Sequence, residues 1–345
     1  KVHGVTLLLL FSDYFLACRS LTKPLQIMKL LLVGLFTLAC IHSLVANPPE
    51  KRDLSRKLKE ADAKIAPALD RPIRVLTANI YNYTAPYAVR MRLLRTQIEK
   101  LDPDLIAFQE AGCMPGKEHQ VKQLLAGLGY HLDHECDGKE IKAVFPFGVA
   151  VASRWPIARK GLWRLSVTGT ALAVEVRAPS PAGRFLFVST VGTGRWQLDR
   201  ALQREKDAVE LDKFIRGNAN PNGFPTVIGG DFDAVPSSAS IRFLSGLQSL
   251  AGRSTHYQDA WTAAGKKGPG YTWSTENRYV RGLTEQIFHT DDHHRRIDYV
   301  FLGSPHHYRK FARIVNCRVV LAQSEGKDWP SDHYGVFAEI LARPR

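Results

Sequence analysis

Apolar residues along the chain fall into short runs between polar breaks, and two periodicities interleave. Ile73, Val75 and Leu76 open a β-branched run that ends at Asn79-Ile80, short enough for a strand. Val89, Leu93, Leu94, Ile98 and Leu101 then recur at the spacing of one helix face, and Asp102-Pro103-Asp104 stops them. A second buried strand over residues 105–108 closes at Gln109-Glu110. This strand, helix, strand opening predicts an α/β protein. Beyond Gly148 the runs shorten, and residues 149–152, 171–176 and 185–189 read as successive strands between Pro and Gly breaks. A helix is expected over about 198–215, then a strand at 226–228 leading into Gly229-Gly230-Asp231-Phe232-Asp233, and further strands at 297–302 and 336–340. No linker divides residues 71–345, which predicts a single domain there.

The first 46 residues have a different texture. From Met28, the expected initiator, one basic residue (Lys29) precedes an apolar run over 30–40 that weakens through Val45 to Ala46, before Asn47-Pro48-Pro49. That is the form of an export signal cleaved after Ala46. The run is shorter than the roughly 18–20 residues a spanning helix needs, so a permanent membrane anchor is the secondary expectation. Residues 47–70 are a polar leader with few large apolar groups. The expected location is outside the cytoplasm, periplasmic or secreted.

Charge and cysteine usage refine this picture. Lys plus Arg number 47 against 33 acidic residues, a net charge of +14. Residues 1–46 hold four of the basic residues and one acidic residue, so the remainder keeps 43 against 32, or +11. Such a surface attracts phosphates or anionic membranes and says nothing about fold. Cys113, Cys136 and Cys317 lie beyond the leader. In an oxidising compartment the first two can close a loop, and the alternative is three thiols with Cys317 in a strand.

Polar residues collect where apolar strands end: Asn79; Glu110; Asp231 with Asp233; Asp298; Asp332 with His333. Carboxylates so gathered repel one another unless a hard cation sits among them. Oxygen ligands without thiolates or paired histidines favour Mg²⁺ or Mn²⁺. Such a cation polarises a phosphoryl oxygen and steadies a leaving alkoxide, while a base takes a proton from water. His333, with a carboxylate behind its other nitrogen, suits that base.

The segments Leu76-Thr77-Ala78-Asn79-Ile80, Phe108-Gln109-Glu110, Gly148-Val149-Ala150-Val151-Ala152-Ser153-Arg154-Trp155-Pro156-Ile157, Gly230-Asp231-Phe232-Asp233, Arg296-Ile297-Asp298-Tyr299-Val300-Phe301 and Ser331-Asp332-His333-Tyr334-Gly335-Val336 occur in an order that resembles the endonuclease/exonuclease/phosphatase superfamily. Each tripeptide alone is unspecific, and their joint order is specific. The resemblance implies a four-layer α/β sandwich, two packed mixed β-sheets flanked by helices. It implies a metal-dependent phosphoesterase, nuclease-like, cleaving a phosphodiester by in-line attack of water. Asn79, Glu110 and Asp332 correspond to metal ligands or partners of metal-bound water, Asp231 to the acid that positions or deprotonates the attacking water, and Asp298 to the carboxylate that orients His333.

Two positions depart from the family pattern. Asp233, a catalytic candidate with Asp231, Asp298 and His333, stands where the family usually has an asparagine amide, so it is expected to be protonated, to bind a metal or to point elsewhere. Val191 stands where the family typically has a histidine on the scissile phosphate. Losing one such donor costs roughly 2.7–4 kcal/mol if nothing replaces it. Arg195, Gln197 and a basic cluster of His289, His293, His294, Arg295 and Arg296 are candidate replacements, with Arg195, Gln197 and Arg296 preferred for the substrate phosphate. The expected partner is a phosphodiester, either nucleic acid or a phospholipid headgroup, and no obligate protein partner is evident. Alternatives are a sphingomyelinase-like lipid phosphodiesterase, and a degenerate phosphate-binding module without turnover. Of Trp155, Trp163, Trp196, Trp261, Trp273 and Trp329, most are expected in the core rather than on a stacking surface.

Overall fold

The computed structural model describes residues 68–114, 116–136, 147–165, 169–192, 200–288, 293–304, 308 and 310–343. The expected export signal and all of the polar leader before residue 68 lie outside the described residues. Along the chain the elements are β1 (Ile73–Asn79), α1 (Tyr87–Leu101), β2 (Leu105–Gly112), α2 (Gln120–Leu125), β3 (His131–Cys136), β4 (Phe147–Ser153), β5 (Ile157–Arg164), β6 (Thr170–Arg177) and β7 (Arg184–Val191). There follow α3 (Ala201–Asn218), β8 (Val227–Asp231), α4 (Ala239–Leu244), β9 (Tyr257–Asp259), α5 (Ala260–Ala263), β10 (Trp273–Ser274), α6 (Arg278–Phe288), β11 (His294–Arg295), β12 (Asp298–Gly303), β13 (Phe311–Val320) and β14 (Gly335–Arg343).

Strand parity dictates the layering. One six-stranded sheet runs β13-β14-β1-β2-β4-β3 and a second runs β5-β6-β7-β8-β12-β9. Both are mixed, since β1 pairs parallel to β2 and β7 parallel to β8 while their other pairings are antiparallel. Ile73, Val75, Leu105 and Ala107 of the first sheet meet Leu172, Val174, Phe185, Phe187, Val227 and Val300 of the second in one buried cluster. Their sequence neighbours Leu76, Ala78, Ile106 and Phe108 face the other way and pack with Leu94 and Ile98 of α1 and Val121 and Leu124 of α2. On the far side, Ala171, Ala173, Leu186 and Val188 pack with Leu211, Phe214 and Ile215 of α3 and Ile241 of α4. Central strands buried on both faces must be apolar at consecutive positions, which is why they read as continuous runs. The result is the expected four-layer sandwich.

Gly229 explains how closely the sheets approach beneath the polar end. A Cβ there would lie 2.6 Å from the Ala107 Cβ of the opposing sheet. The helix layer is tied down by Asp212 of α3, whose fully buried carboxylate accepts from Thr255 Oγ1 at 2.6 Å, Tyr257 Oη at 3.0 Å and Arg216 Nε at 2.9 Å. Burial alone would raise its pKa, and these partners overcome burial and hold it below the usual carboxylate range. Its stabilisation is therefore present above the unfolded value of about 4 and is lost as pH falls through the lower folded value. Asp212→Ala is expected to lower unfolding free energy by roughly 2–3 kcal/mol in urea titrations at neutral pH, with a smaller deficit below about pH 4.

Cys113 and Cys136 are joined as a disulfide linking the end of β2 to the end of β3, and Cys317 is a buried free thiol in β13. Trp273 is buried, and Trp155 and Trp261 pack against the inter-sheet core, whereas Trp163 is exposed and stacks on Phe214. Trp196 lies outside the described residues.

Candidate active site

The parity that fills the space between the sheets continues to the strand ends. Asn79 follows Ile73 and Val75 on β1, Asp231 follows Val227 on β8, and Asp298 precedes Val300 on β12, so all three side chains belong to the inter-sheet layer. Asp298 and Asp231 are register partners across the β12–β8 ladder. Asn79 bridges the two sheets, its Nδ2 donating to Glu110 Oε1 and Asp231 Oδ2, both at 3.1 Å. Glu110 has the wrong parity for this layer, because Phe108 faces the helices. A bulge in the β2–β4 register between Phe108 and Ala111, with Glu110 at φ 47°, turns it back toward Asn79.

His333 arrives from the loop before β14, whose start pairs with the end of β1. That loop is fixed by Asn277 Nδ2 donating to Ser331 O at 2.7 Å and by Tyr334 N donating to Thr272 O at 2.7 Å. The Thr272 hydroxyl also accepts from Asp298 N at 3.1 Å, so the acid and the imidazole share one support. His333 Nδ1 lies 3.0 Å from Asp298 Oδ2, while Nε2 lies 3.8 Å from Asp231 Oδ2. Burial would lower the pKa of His333, but Asp298, Asp231 and Asp332 outweigh it and hold the ring well above the ordinary imidazole value. Burial pushes the Asp298 carboxyl up to about 6 against the pull of His333. Asp298 fixes the orientation of the ring through Nδ1 and favours its protonated form.

Glu110 is pushed up to about 7, first by burial and then by the negative charge of Asp332. Its oxygens accept from the amides of Asn79 and Asn82, at 3.1 and 3.2 Å, and among the described residues no Lys or Arg forms a salt bridge with it. Two carboxylates, Glu110 and Asp332, with no thiolate beside them fit a hard divalent cation, while Asn79 here turns its Nδ2 to Glu110 and its Oδ1 accepts from Tyr81 N at 3.1 Å. The ligand atoms of Asp231, Asp298 and His333 also lie within 4.8 Å of one another, but there His333 is already engaged by Asp298.

The structure thus gathers Asn79, Glu110, Asp231, Asp298 and His333, with Asp332 next to His333, its charge felt at both His333 and Glu110. Asp233 is adjacent, donating its N–H to Asp231 Oδ1 at 3.0 Å, yet its carboxylate faces Arg295 at 2.8 Å. Arg296 departs from expectation. Its buried guanidinium takes Asp259 at 2.9 Å and lies over the Tyr299 ring, because β9 places that carboxylate beside β12. Arg195, Gln197 and His289 lie outside the described residues. His293 packs edge-on against Trp273, and His294 pairs with Ser274 Oγ at 2.7 Å.

Sequence reasoning missed the groups that brace this cluster. Arg90 of α1 is fully buried and donates to the carbonyls of Ile80, Tyr81, Asn82 and Thr84. It shares a helical stripe with Leu94 and Ile98, and a cation within an apolar stripe is the signal that could have found it. The loop it holds is strained, with Tyr81 at φ 52° and Asn82 at φ 34°.

The model of the endonuclease/exonuclease/phosphatase family matches residues 76–333. No curated protein matches the chain. Among solved structures, Danio rerio TDP2 complexed with single-strand DNA product is similar with a TM-score of 0.61 at 16% identity, over 79% of this chain and 100% of that one. The human Nocturnin catalytic domain with bound sulfate gives 0.59 at 17% identity, over 80% and 97% of the respective chains. An endonuclease/exonuclease/phosphatase from Beutenbergia cavernae gives 0.57 at 21% identity, over 79% and 72%. At these identities the likeness concerns the fold.

Proposed function

The chain belongs to the endonuclease/exonuclease/phosphatase family, and on that premise we propose that it is an exported, Mg²⁺- or Mn²⁺-dependent hydrolase that cleaves a phosphodiester, with nucleic acid as the substrate class. Members of this family are hydrolases of phosphoester bonds and are generally dependent on divalent metals. The observation that carries the proposal is the His333–Asp298 contact of 3.0 Å set 3.8 Å from Asp231, in the same layer as Asn79 and Glu110.

Glu110, with Asp332 beside it, would hold the cation, and Asn79 would join them by turning its amide so that the oxygen rather than Nδ2 faces Glu110. A divalent cation there supplies positive charge to polarise a phosphoryl oxygen and to steady the departing alkoxide. Asp231 receives the proton of the attacking water, its Oδ1 already fixed by the Asp233 N–H and its Oδ2 by the Asn79 amide. His333, kept protonated by the surrounding carboxylates, donates from Nε2 to the charge that develops on the phosphoryl group. This donor role and the role of base expected of His333 are alternatives, and the nearby charges of Asp298, Asp231 and Asp332 favour the donor. Asp298 orients the imidazolium through Nδ1. The net positive charge and the DNA-bound relative of the same fold support nucleic acid over a lipid headgroup.

A panel of single-stranded DNA, RNA, sphingomyelin vesicles and a phosphomonoester, assayed with Mg²⁺ and with EDTA, tests this. Nucleic acid is expected to be cleaved only with the metal, with activity falling steeply as salt rises. Glu110→Ala is expected to raise the half-saturating Mg²⁺ concentration by about tenfold or more. Hydrolysis that persists in EDTA, or an unchanged Mg²⁺ requirement in that variant, contradicts the assignment.

A further inference from the structure

We propose that the Cys113–Cys136 bridge is a thiol–disulfide exchange site, reduced by small thiols such as glutathione, in which the Nε2–H of His119 donates to the thiolate released on Cys113. The proposal is independent of the phosphodiester chemistry above.

His119 is fixed against the two sulfurs from several sides. It precedes α2, and its Nδ1 accepts from Val121 N at 3.2 Å, so Nε2 carries the proton of the neutral ring. Burial, and then neighbouring His134 and Lys122, push its pKa down to about 4, which keeps the ring neutral at pH 7. His134 lies two residues before Cys136 on the same face of β3, and its ring stacks on that of His119 with centroids 4.0 Å apart. A ring nitrogen of His119 and both sulfurs lie within 4.8 Å of one another. His119 is only 6% exposed, yet among the described residues its Nε2 has no hydrogen-bond partner.

That orphaned donor distinguishes the two states of the bridge. A bonded sulfur is a weak acceptor, so the oxidised form leaves the N–H desolvated and unpaired. A thiolate is an anion, and a hydrogen bond to it from Nε2 is charge-assisted. A donor that stabilises only the reduced form makes the bridge easier to reduce, which is the property that separates exchanging disulfides from structural ones. Access follows the same division. Cys136 is half-buried on the edge strand β3, whereas Cys113 is 9% exposed. A thiolate RS⁻ attacks Cys136 Sγ, the S–S bond breaks, and its electron pair departs on Cys113 Sγ, where Nε2–H stabilises it. A second thiolate attacks the RS sulfur of the mixed disulfide, forming RSSR and releasing the Cys136 thiolate. The two RSH supply both protons, so the bridge and two RSH give two cysteine thiols and RSSR.

The full chain, equilibrated in glutathione buffers of graded reduced-to-oxidised ratio, alkylated, and read by the masses of the peptides carrying Cys113 and Cys136, tests the site. The wild type is expected to pass from disulfide to dithiol within the series while circular dichroism shows it folded, whereas a structural bridge resists the glutathione pool. His119→Phe keeps a ring to stack on His134 and removes both nitrogens. It is expected to shift the equilibrium constant toward the disulfide by about tenfold or more. His119→Gln retains an amide donor and is expected to restore most of that shift. A bridge reduced only where the chain unfolds, or a folded His119→Phe with the wild-type constant, overturns the proposal. Should His119→Phe fail to fold, imidazole nitrogen NMR of the wild type decides. The Nε2–H resonance of His119 is expected to move downfield when the bridge is reduced, and an unmoved resonance overturns the donor.

Discussion

His333→Ala is expected to lower kcat for diester hydrolysis by roughly 10²–10⁴-fold with little change in KM. The imidazole is held by Asp298 on Nδ1 and aims Nε2 toward Asp231, so its donor acts on charge that develops only as the phosphoryl group reacts. Alanine removes that donor and leaves Asp298 buried and raised in pKa without its opposing charge. Asp298→Asn offers a companion measurement. An amide donor facing Nδ1 favours the opposite tautomer, so the rate should fall even with the ring in place. Steady-state kinetics at saturating Mg²⁺ checks both. A fall confined to KM would make His333 a binding group rather than a participant in chemistry.

Arg90→Met is expected to destabilise the fold by at least roughly 4 kcal/mol, equivalent to about 10 °C in the melting midpoint. The wild-type guanidinium satisfies the carbonyls of Ile80 at 2.9 Å, Tyr81 at 3.0 Å, Asn82 at 2.8 Å and Thr84 at 2.7 Å, and reaches Pro330 O at 3.4 Å. Methionine fills similar volume and offers no donor, so these buried acceptors lose their partner together. The substitution joins stability to function, because the carbonyls belong to the loop after Asn79 and to the residue two before Asp332. Arg90→Lys should not rescue it, since an ammonium has three donors on one atom and cannot span four carbonyls. Thermal and urea unfolding measure the loss. A variant within about 1 kcal/mol of wild type would deny Arg90 this bracing role.

The central strands were legible because a strand covered on both faces must be apolar at successive positions. Residues 149–152, 171–176 and 185–189 fall within observed strands, and the expected strand 297–302 overlaps β12, which begins one residue later at Asp298. Edge strands were not. β13 alternates buried and exposed residues over Phe311–Val320 and carries Arg313, Asn316 and Arg318, so it lacks a continuous apolar run. β3, His131–Cys136, is polar throughout except for Leu132 and Cys136 and lies at the sheet edge beside β4. The site's strand-tip residues were legible for the same reason as the core, since each stands where a buried run stops. Hidden from the sequence were the bulge that swings Glu110 into the inter-sheet layer and the pairing that sends Arg296 to Asp259 while Arg295 takes Asp233. Adjacent arginines with opposite fates are decided by which carboxylate the fold brings near, and that is a tertiary property.

Hydrolysis of bis(p-nitrophenyl) phosphate in Mg²⁺ by the wild type, Glu110→Ala and His333→Ala tests most directly whether the strand ends make one metal-assisted hydrolytic centre. Both substitutions are expected to abolish most of the wild-type rate while leaving the melting midpoint within a few degrees, and the double variant should be scarcely slower than the worse single one. Wild-type rates in both single variants would contradict it.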